Sequence, residues 1–495
     1  MSLSLVMAAS VNAAPWIDVG DLRLRNNLQL LNDAEVIDIS LTTWPLMWAD
    51  VKSALAEADH SKLNSAQKTA IRELRFEIRK QTKSGIKKSL EVTAGSARPL
   101  LRDFGSFQQE KGEIHKTMEG DSESFAFRLQ ANVMTEPGDD DVQTDFYGSY
   151  LAGVLGGRDG NWVLGVGAVD QWWGAGSQSS LILTNNAEPV PSVFLRTKQG
   201  QTFETPLLSW LGEWQFVSYI GQLESKRTIP EAKLTGMRFT FRPLKGLEFG
   251  MSRAMQWGGE GRDEDLSTFW KSLTSQGENT AKQAGNQLAG FDVRYGFALT
   301  DTLGAAFHAQ TIGEDEAGYM PSRRTHQAGV QLSQTLEDSA FLKYELEYAN
   351  TIADGFETVF YNTTYEHSLY ESGYRYHGRT LGASFDNDSE VLSFGMSLQN
   401  GDGSLWSARA SYLQLNEDGG VRGNGVSLSA QSLYMAELYH QCFIFDGRFK
   451  AGLTYLSKDV DTAFTDVERL AASVSWEYRY SVSYTHLTLP TTPYV

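Results

Sequence analysis

Apolar and polar residues alternate one for one from about residue 120 to residue 480, and this two-residue period constrains the fold more than any other feature. Phe125, Phe127, Leu129, Ala131 and Val133 alternate with Arg128, Gln130 and Asn132. Phe291, Val293, Tyr295 and Phe297 alternate with Asp292, Arg294 and Gly296, and Leu342, Tyr344, Leu346 and Tyr348 with Lys343, Glu345 and Glu347. The last repeat runs Leu470, Ala472, Val474, Trp476, Tyr478, Tyr480. Successive side chains of a strand point to opposite faces, so the pattern is that of strands. A soluble sandwich alternates too, and the chemistry of the faces separates the two. Here one face is apolar and repeatedly ends in Trp or Tyr, as at an aromatic girdle, while the other carries charges at mid-strand, as a polar lumen does.

Mean hydropathy is -0.33, and no stretch approaches the roughly 18 uninterrupted apolar residues that a spanning helix needs. A closed barrel is the all-β form that leaves no unpaired backbone edge in lipid. The fold expected is therefore an antiparallel all-β transmembrane barrel. About nineteen strands can be counted from residue 120; an even number is the rule, and Gly112–Gly120 is a candidate for a further strand. Tight turns at Pro243–Gly246, Thr300–Thr302, Glu337–Ser339, Asn400–Gly403 and Asp446–Gly447 fall at one end, the periplasmic end if the chain finishes there. Segments around 258–286, 313–325, 350–355, 385–389, 416–426 and 458–466 fall at the other, as the longer extracellular loops of a barrel do.

Residues 14–85 have helical character instead. Thr43-Trp44-Pro45 resembles a helix start, and Ser65 is placed to cap a third helix carrying Ile71, Leu74 and Ile78. Three helices fit a plug or a periplasmic docking element. Residues 86–119 read as a linker before a barrel of residues 120–481. Residues 1–13 read as a signal peptide with a truncated start and a small-residue site at Val11-Asn12-Ala13, which implies export to the outer membrane. Residues 482–495 lose the period and resemble a translated sequencing adapter; they are set aside.

The 61 acidic residues outnumber 43 basic ones for a formal charge of -18, which argues against nucleic acid as a partner. Cys442 is the only cysteine, so an intramolecular disulfide is excluded. The sequence holds no His-Glu-x-x-His, no Gly-x-Ser-x-Gly and no phosphate-binding glycine loop, so no catalytic residue is assigned. Acidic clusters at Asp139–Asp141, Glu260 with Asp263–Asp265, Glu314–Glu316 and Asp386-x-Asp388-x-Glu390 read as solvated loop charge, and no cofactor or metal is expected. The mid-strand charges Arg128, Arg238, Arg242, Arg294, Lys343, Glu345, Glu347, Arg409, Glu477 and Arg479 read as a cross-strand ion-pair network filling the lumen. Loop residues Arg262, Trp270, Lys271, Tyr319, Arg323 and Arg324 combine aromatics with cations, the chemistry that stacks on sugar faces and pairs with sugar carboxylates.

One segment is more specific. Asp170-Gln171-Trp172-Trp173-Gly174-Ala175-Gly176, followed by Ser179-Ser180-Leu181-Ile182-Leu183-Thr184-Asn185-Asn186-Ala187 and Pro189-Val190-Pro191, resembles the Wzi capsule-assembly family. Gln171 and Ala175 stand where that family usually has Arg and Pro. Leu24-Arg25-Asn26, Thr43-Trp44-Pro45 and Arg98-Pro99-Leu100-Leu101 are similar to further family segments. The resemblance implies an outer-membrane barrel of eighteen strands with a small α-helical bundle on the periplasmic side. It implies a non-enzymatic, lectin-like function, with capsular polysaccharide, outer-membrane lipid or lipopolysaccharide, and the capsule export machinery as partners. The competing expectation is a porin or saccharide-permeable channel. From the residues alone, Trp172 and Trp173 read as a girdle or turn element, with Gly174 and Gly176 permitting a sharp bend.

Overall fold

The computed structural model describes residues 15–81, 85–122, 124–135, 142–274, 285–317, 320–355, 358–420, 424–462, 464 and 466–482. The expected signal peptide, Tyr319 and the tail beyond Val482 lie outside the described residues.

Eighteen antiparallel strands, three of them interrupted, close into a barrel. The strand Leu470–Val482 closes it by pairing with Ile86–Gly95, from Ser473 opposite Gly95 to Val482 opposite Ile86. Ile86–Gly95 and Gly112–Asp121 are therefore wall, not linker, and the barrel begins at Ile86 rather than near residue 120. Their alternation is blurred because Lys88 and Lys116 share the outward parity with Leu90, Val92 and Ile114. Lys88 lies near the periplasmic end of its strand, where a long side chain can carry its charge to the interface, while Lys116 lies at mid-strand.

Turns at 245–246, 301–302, 336–340, 400–404 and 445–446 close one rim, and the segments 96–111, 168–191, 258–274 and 361–389 rise from the other. Short turns mark the periplasmic rim. Two expected loops prove to be strand. Ladders continue to Ala317 opposite Met320 and to Gly355 opposite Thr358, so those hairpins extend beyond their neighbours at the extracellular rim. Outward apolar residues such as Leu129, Val166, Phe291, Val330 and Phe394 are 44–57% exposed, as a lipid-facing surface requires. Trp476, Tyr478 and Tyr480 stack in an outward row at the periplasmic end, as do Trp214 and Phe239.

Three helices, α1 (Leu22–Asp33), α2 (Trp48–Glu57) and α3 (Ser65–Gln81), occupy the periplasmic end. The cap of α3 is Asn64, not Ser65: the Asn64 side chain accepts from the Gln67 N–H at 2.9 Å, while the Gln67 side chain accepts from the Asn64 N–H at 3.0 Å. This reciprocal pair is a capping box, which satisfies two otherwise orphaned donors. Thr43–Trp44 starts no helix; α2 begins at Trp48. Helix α1 carries five polar or basic residues among its first eight, yet nearly all of it is buried. The surrounding wall explains this: Lys343 donates to Gln29 at 2.6 Å, and Arg294 pairs with Asp33 at 2.7 Å. Leu24, Leu28 and Leu31 turn the other way, into an apolar cluster with Val51, Ile71 and Leu74.

The lumen charges pair as expected, but many of their partners are not on neighbouring strands. Arg128 reaches Asp18, Arg294 reaches Asp33, Arg409 reaches Asp103 at 2.6 Å and Arg448 reaches Asp21 at 3.0 Å. Folding thus couples the wall to the segments inside it. Arg238 with Asp292, and Arg479 with Glu477, stay within the wall.

Candidate functional site

Between strands ending at Gly167 and beginning at Ser192, the chain dives into the barrel. Trp172 and Trp173 form a two-residue bridge with Thr43–Trp44 inside the lumen, and both indoles are 0% exposed. They do not belong to a girdle; the turn part of that expectation holds. Gly174 has φ +152°, and a Cβ there would sit 2.7 Å from the Ser180 hydroxyl. A Cβ on Gly176 would collide with the Gln327 side chain and stand 2.5 Å from the Ser179 carbonyl oxygen. Both glycines therefore answer to close approach within a packed bend.

The buried backbone of that bend is tied down along its length. Arg25 of α1 donates to the carbonyls of Ala175 and Gly176 at 2.9 and 2.8 Å, with its guanidinium 4.0 Å from the Phe104 ring centre. Glu347 on the wall accepts the N–H groups of Ser177 and Gln178 at 2.7 and 2.8 Å. Gln310 accepts from the Leu181 N–H at 2.8 Å and donates to the Trp173 carbonyl at 2.9 Å. Glu248 does the same for the preceding segment, accepting from Ser40, Thr42 and the Leu41 N–H. Buried backbone groups must find partners, and here polar wall residues supply them in place of a ladder. Asn185 and Asn186 lie at the upper end of the bend. Arg102 donates to the Asn185 carbonyl, and Asn186 donates to the Thr380 carbonyl at 3.0 Å.

The extracellular segment 361–389 covers the bend. Tyr365 donates to the Leu181 carbonyl at 2.6 Å and Tyr374 to that of Ile182 at 3.0 Å. Arg375 holds Asp386 at 2.7 Å, and Asp386 also accepts the Gly425 N–H. Asp388 is 0% exposed; burial, then Asp418 and Asp386, push its carboxyl up to about 7 against the Asn362 N–H it accepts. Burial and the neighbouring Arg262 push His367 down to about 4.

Of the predicted loop residues, those described gather at this mouth in two groups. Helix α4 (Leu266–Leu273) carries Trp270, 54% exposed, and Lys271, also exposed; it is capped by Asp265, which accepts from the Thr268 N–H at 2.7 Å. Phe269 anchors it against Trp257. Arg262 lies on Tyr370, 5.5 Å from the ring centre. Arg323 lies on Phe360 at 4.8 Å, and Arg324 stands opposite Asp354 in the adjoining ladder. A crevice lined by Asp170, Gln171, Thr184, Glu188 and Tyr219 opens beside the bend. Burial, then Asp18 and Glu188, push Asp170 up to about 6 against Arg102. Sequence reading missed this crevice, although Asp170 is the first residue of the Trp-Trp segment.

The model of the capsule assembly protein Wzi family matches residues 80–472. An uncharacterized 55.8 kDa protein in the cps region of Klebsiella pneumoniae is 34% identical over 341 residues, 67% of this chain. That match spans 65% of the relative's length. The structure of Wzi from Escherichia coli, an outer-membrane protein involved in group 1 capsule assembly and described as a carbohydrate-binding β-barrel, superposes with a TM-score of 0.82. It is 28% identical, with 95% of this chain and all of that one covered. With the closed eighteen-stranded wall, its internal helices and the tied-down Trp-Trp bend, these matches place the chain in the Wzi capsule assembly family of outer-membrane β-barrels.

Proposed function

We propose that this protein binds capsular polysaccharide at the cell surface and attaches or organises it there, without catalysing a reaction. The observation that carries the reading is the filled lumen: Trp44, Trp172, Trp173, Arg25 and Arg238 are fully buried within it. A barrel packed this way presents a surface and not a passage. That surface carries an exposed indole, Trp270, beside Lys271, with Arg262, Arg323 and Arg324 on neighbouring elements. Aromatic faces stack on the C–H face of sugars, and guanidinium groups pair with carboxylates in two-point contacts. Acidic capsules carry such carboxylates. Lipopolysaccharide surrounds this mouth and is the partner at its outer edge.

Binding to isolated capsule tests the reading. Trp270→Ala and the paired Arg323→Ala/Arg324→Ala are each expected to weaken it roughly tenfold, the scale of about 1.4 kcal/mol. Unchanged binding in both would move the contact surface elsewhere, to the Asp170–Glu188 crevice first. A large, steady, ohmic conductance of the intact protein in planar bilayers would replace this reading with a channel. Shortened or deacylated capsule after incubation with the protein would replace it with an enzyme.

A further inference from the structure

The turn Asp386–Ser389 lies within the extracellular cover, and it buries more side-chain oxygen than its hydrogen bonds use. Asp386, Asn387, Asp388 and Ser389 are at most 1% exposed, so the acidic pattern expected to be solvated loop charge is largely sealed from water. Three other segments close around the turn. The Asn362 N–H donates to the Asp388 carboxylate at 2.7 Å, and the Glu417 N–H to the Asp388 carbonyl at 2.8 Å. The Asn424 side chain donates to the Asn387 carbonyl at 2.7 Å. The Asn416 N–H donates to the Ser389 hydroxyl at 3.3 Å, and the Asn416 side chain to the carbonyls of Gly420 and Ser427 at 2.8 and 2.9 Å.

These bonds fix which oxygens remain. Asp388 accepts from the Asn362 N–H and the Asn387 side chain with one oxygen; the other, Oδ1, is buried and has no partner. Asn387 and Asn416 each commit the side-chain nitrogen, and the Oδ1 of each is likewise buried without a partner. Three side-chain oxygens are thus unused in one knot, on residues that are 0–1% exposed. A buried acceptor without a donor is costly, and a buried carboxylate without a cation more so. Arg375 does not relieve it, since it holds Asp386 and Glu366. A second carboxylate stands close by: Asn362, which donates its N–H to Asp388, donates its side-chain amide to Asp418. Asn362 and Asp418 are exposed, so the knot meets the medium at this edge.

The donor chemistry selects the ion. Two carboxylates with amide oxygens, and no His or Cys among them, are hard ligands of the kind calcium takes and zinc does not. Calcium accepts irregular sets completed by carbonyls and water, whereas magnesium demands a near-ideal octahedron. Among the described residues no three Asp, Glu, His or Cys side chains form a metal group. The charge count is therefore low, which sets the affinity in the weak extracellular range of about 0.1–1 mM.

We infer that Asp388, Asn387, Asn416 and Asp418 form a calcium site, and that the ion joins the cover 361–389 to the loop 416–420. The inference goes beyond the polysaccharide reading and stands without it. A bound ion and a proton compete for Asp388, so the pH response of this cover belongs to the metal-free protein.

The test uses the full chain in detergent micelles, stripped with a chelator, with calcium chloride as the probe at about pH 8, where carboxylates are ionised. Calorimetry is expected to show one ion per chain with a Kd of about 0.1–1 mM. Asp388→Asn and Asp418→Asn should each weaken binding roughly tenfold or more, because affinity follows ligand charge. Asp263→Asn, in the separate acidic cluster at 260–265, should stay within about twofold of the parent, since distant exposed charge is screened. Saturating calcium should also slow hydrogen exchange in residues 361–389 and 416–420 of the parent, and not in Asp388→Asn. No saturable binding up to about 10 mM calcium, well above that range, overturns the inference and leaves the three oxygens to water. So does parent affinity in both ligand variants, or magnesium bound as tightly as calcium. Heat-modifiable electrophoretic mobility verifies that each barrel is folded, and the exposed Asp418→Asn carries the comparison if Asp388→Asn does not fold.

Discussion

Arg25 donates to the Gly176 carbonyl at 2.8 Å, joining a helix near the start of the chain to a bend between two barrel strands 151 residues later. The same guanidinium serves Ala175 and faces the Phe104 ring. Helices and bend therefore stabilise each other.

Arg25→Ala should loosen both. The Gly176 carbonyl keeps the Trp172 indole N–H at 3.1 Å, but the Ala175 carbonyl is left without a donor, which costs about 1–3 kcal/mol when buried, so the unfolding midpoint in guanidinium should fall. Arg25→Lys should recover only part of it, since an ammonium cannot reproduce the fork that spans two carbonyls. Full recovery by lysine would mean that charge alone matters at this position.

Gly176→Ala adds one methyl group where Gln327 and the Ser179 carbonyl already stand. Overpacking of this kind costs about 1–3 kcal/mol. The effect should appear as faster hydrogen exchange in residues 172–186, with the strands unaffected. Exchange identical to the parent would show that the bend can shift without cost.

Glu347→Gln keeps the shape but leaves one oxygen to accept from the Ser177 and Gln178 N–H groups. A loss of about 1–3 kcal/mol is expected from the same bend. Equilibrium refolding into micelles measures it, and an unchanged midpoint would place the support of this turn elsewhere.

Two layers block the lumen in series, the helices below and the bend above. Replacing residues 172–186 with a Gly/Ser linker, or removing residues 15–81, should each leave the barrel nearly non-conducting in planar bilayers. The two changes together should give a steady pore. A large pore from either one alone would refute the two-layer account.

The cover over the bend should respond to pH through Asp388, Glu366 and His367. The Asp388 carboxyl is raised to about 7, so its contribution is complete below its ordinary range and is lost as pH rises through about 7. His367 is lowered to about 4, so its contribution is complete above its ordinary range and is lost as pH falls through about 4. Burial likewise pushes Glu366, in the same segment, up to about 7 against Arg375, so the two carboxyls oppose His367 between those limits and together loosen the cover from about pH 6.5 to 8. Exchange in residues 361–389, corrected for intrinsic rates, should rise over that interval in the parent, rise less in Asp388→Asn, and stay flat in Asp388→Asn/Glu366→Gln.

The periodic sequence was enough to establish a membrane barrel, its two rims and a charged interior. A period of two with an aromatic-ended apolar face has no other stable placement, because lipid tolerates no unpaired strand edge. The Trp-Trp segment was enough to point to the family. Local pattern failed where charge interrupted it: Lys88 hid the strand Ile86–Gly95, and Lys116 left Gly112–Gly120 only a candidate, which the structure bears out as Gly112–Asp121. It also failed at Trp172 and Trp173, whose apolar bulk suits a girdle as well as a lumen. Only the tertiary structure decided between those, by setting Arg25, Glu347 and Gln310, far apart in sequence, around a single bend. The mouth followed the same division. Trp270 and the arginines could be picked by residue type, but Asp170, Glu188 and Tyr219 line a crevice only because the bend folds inward. Strand period is a property of neighbours along the chain. What fills a barrel depends on partners hundreds of residues away, which no local pattern records.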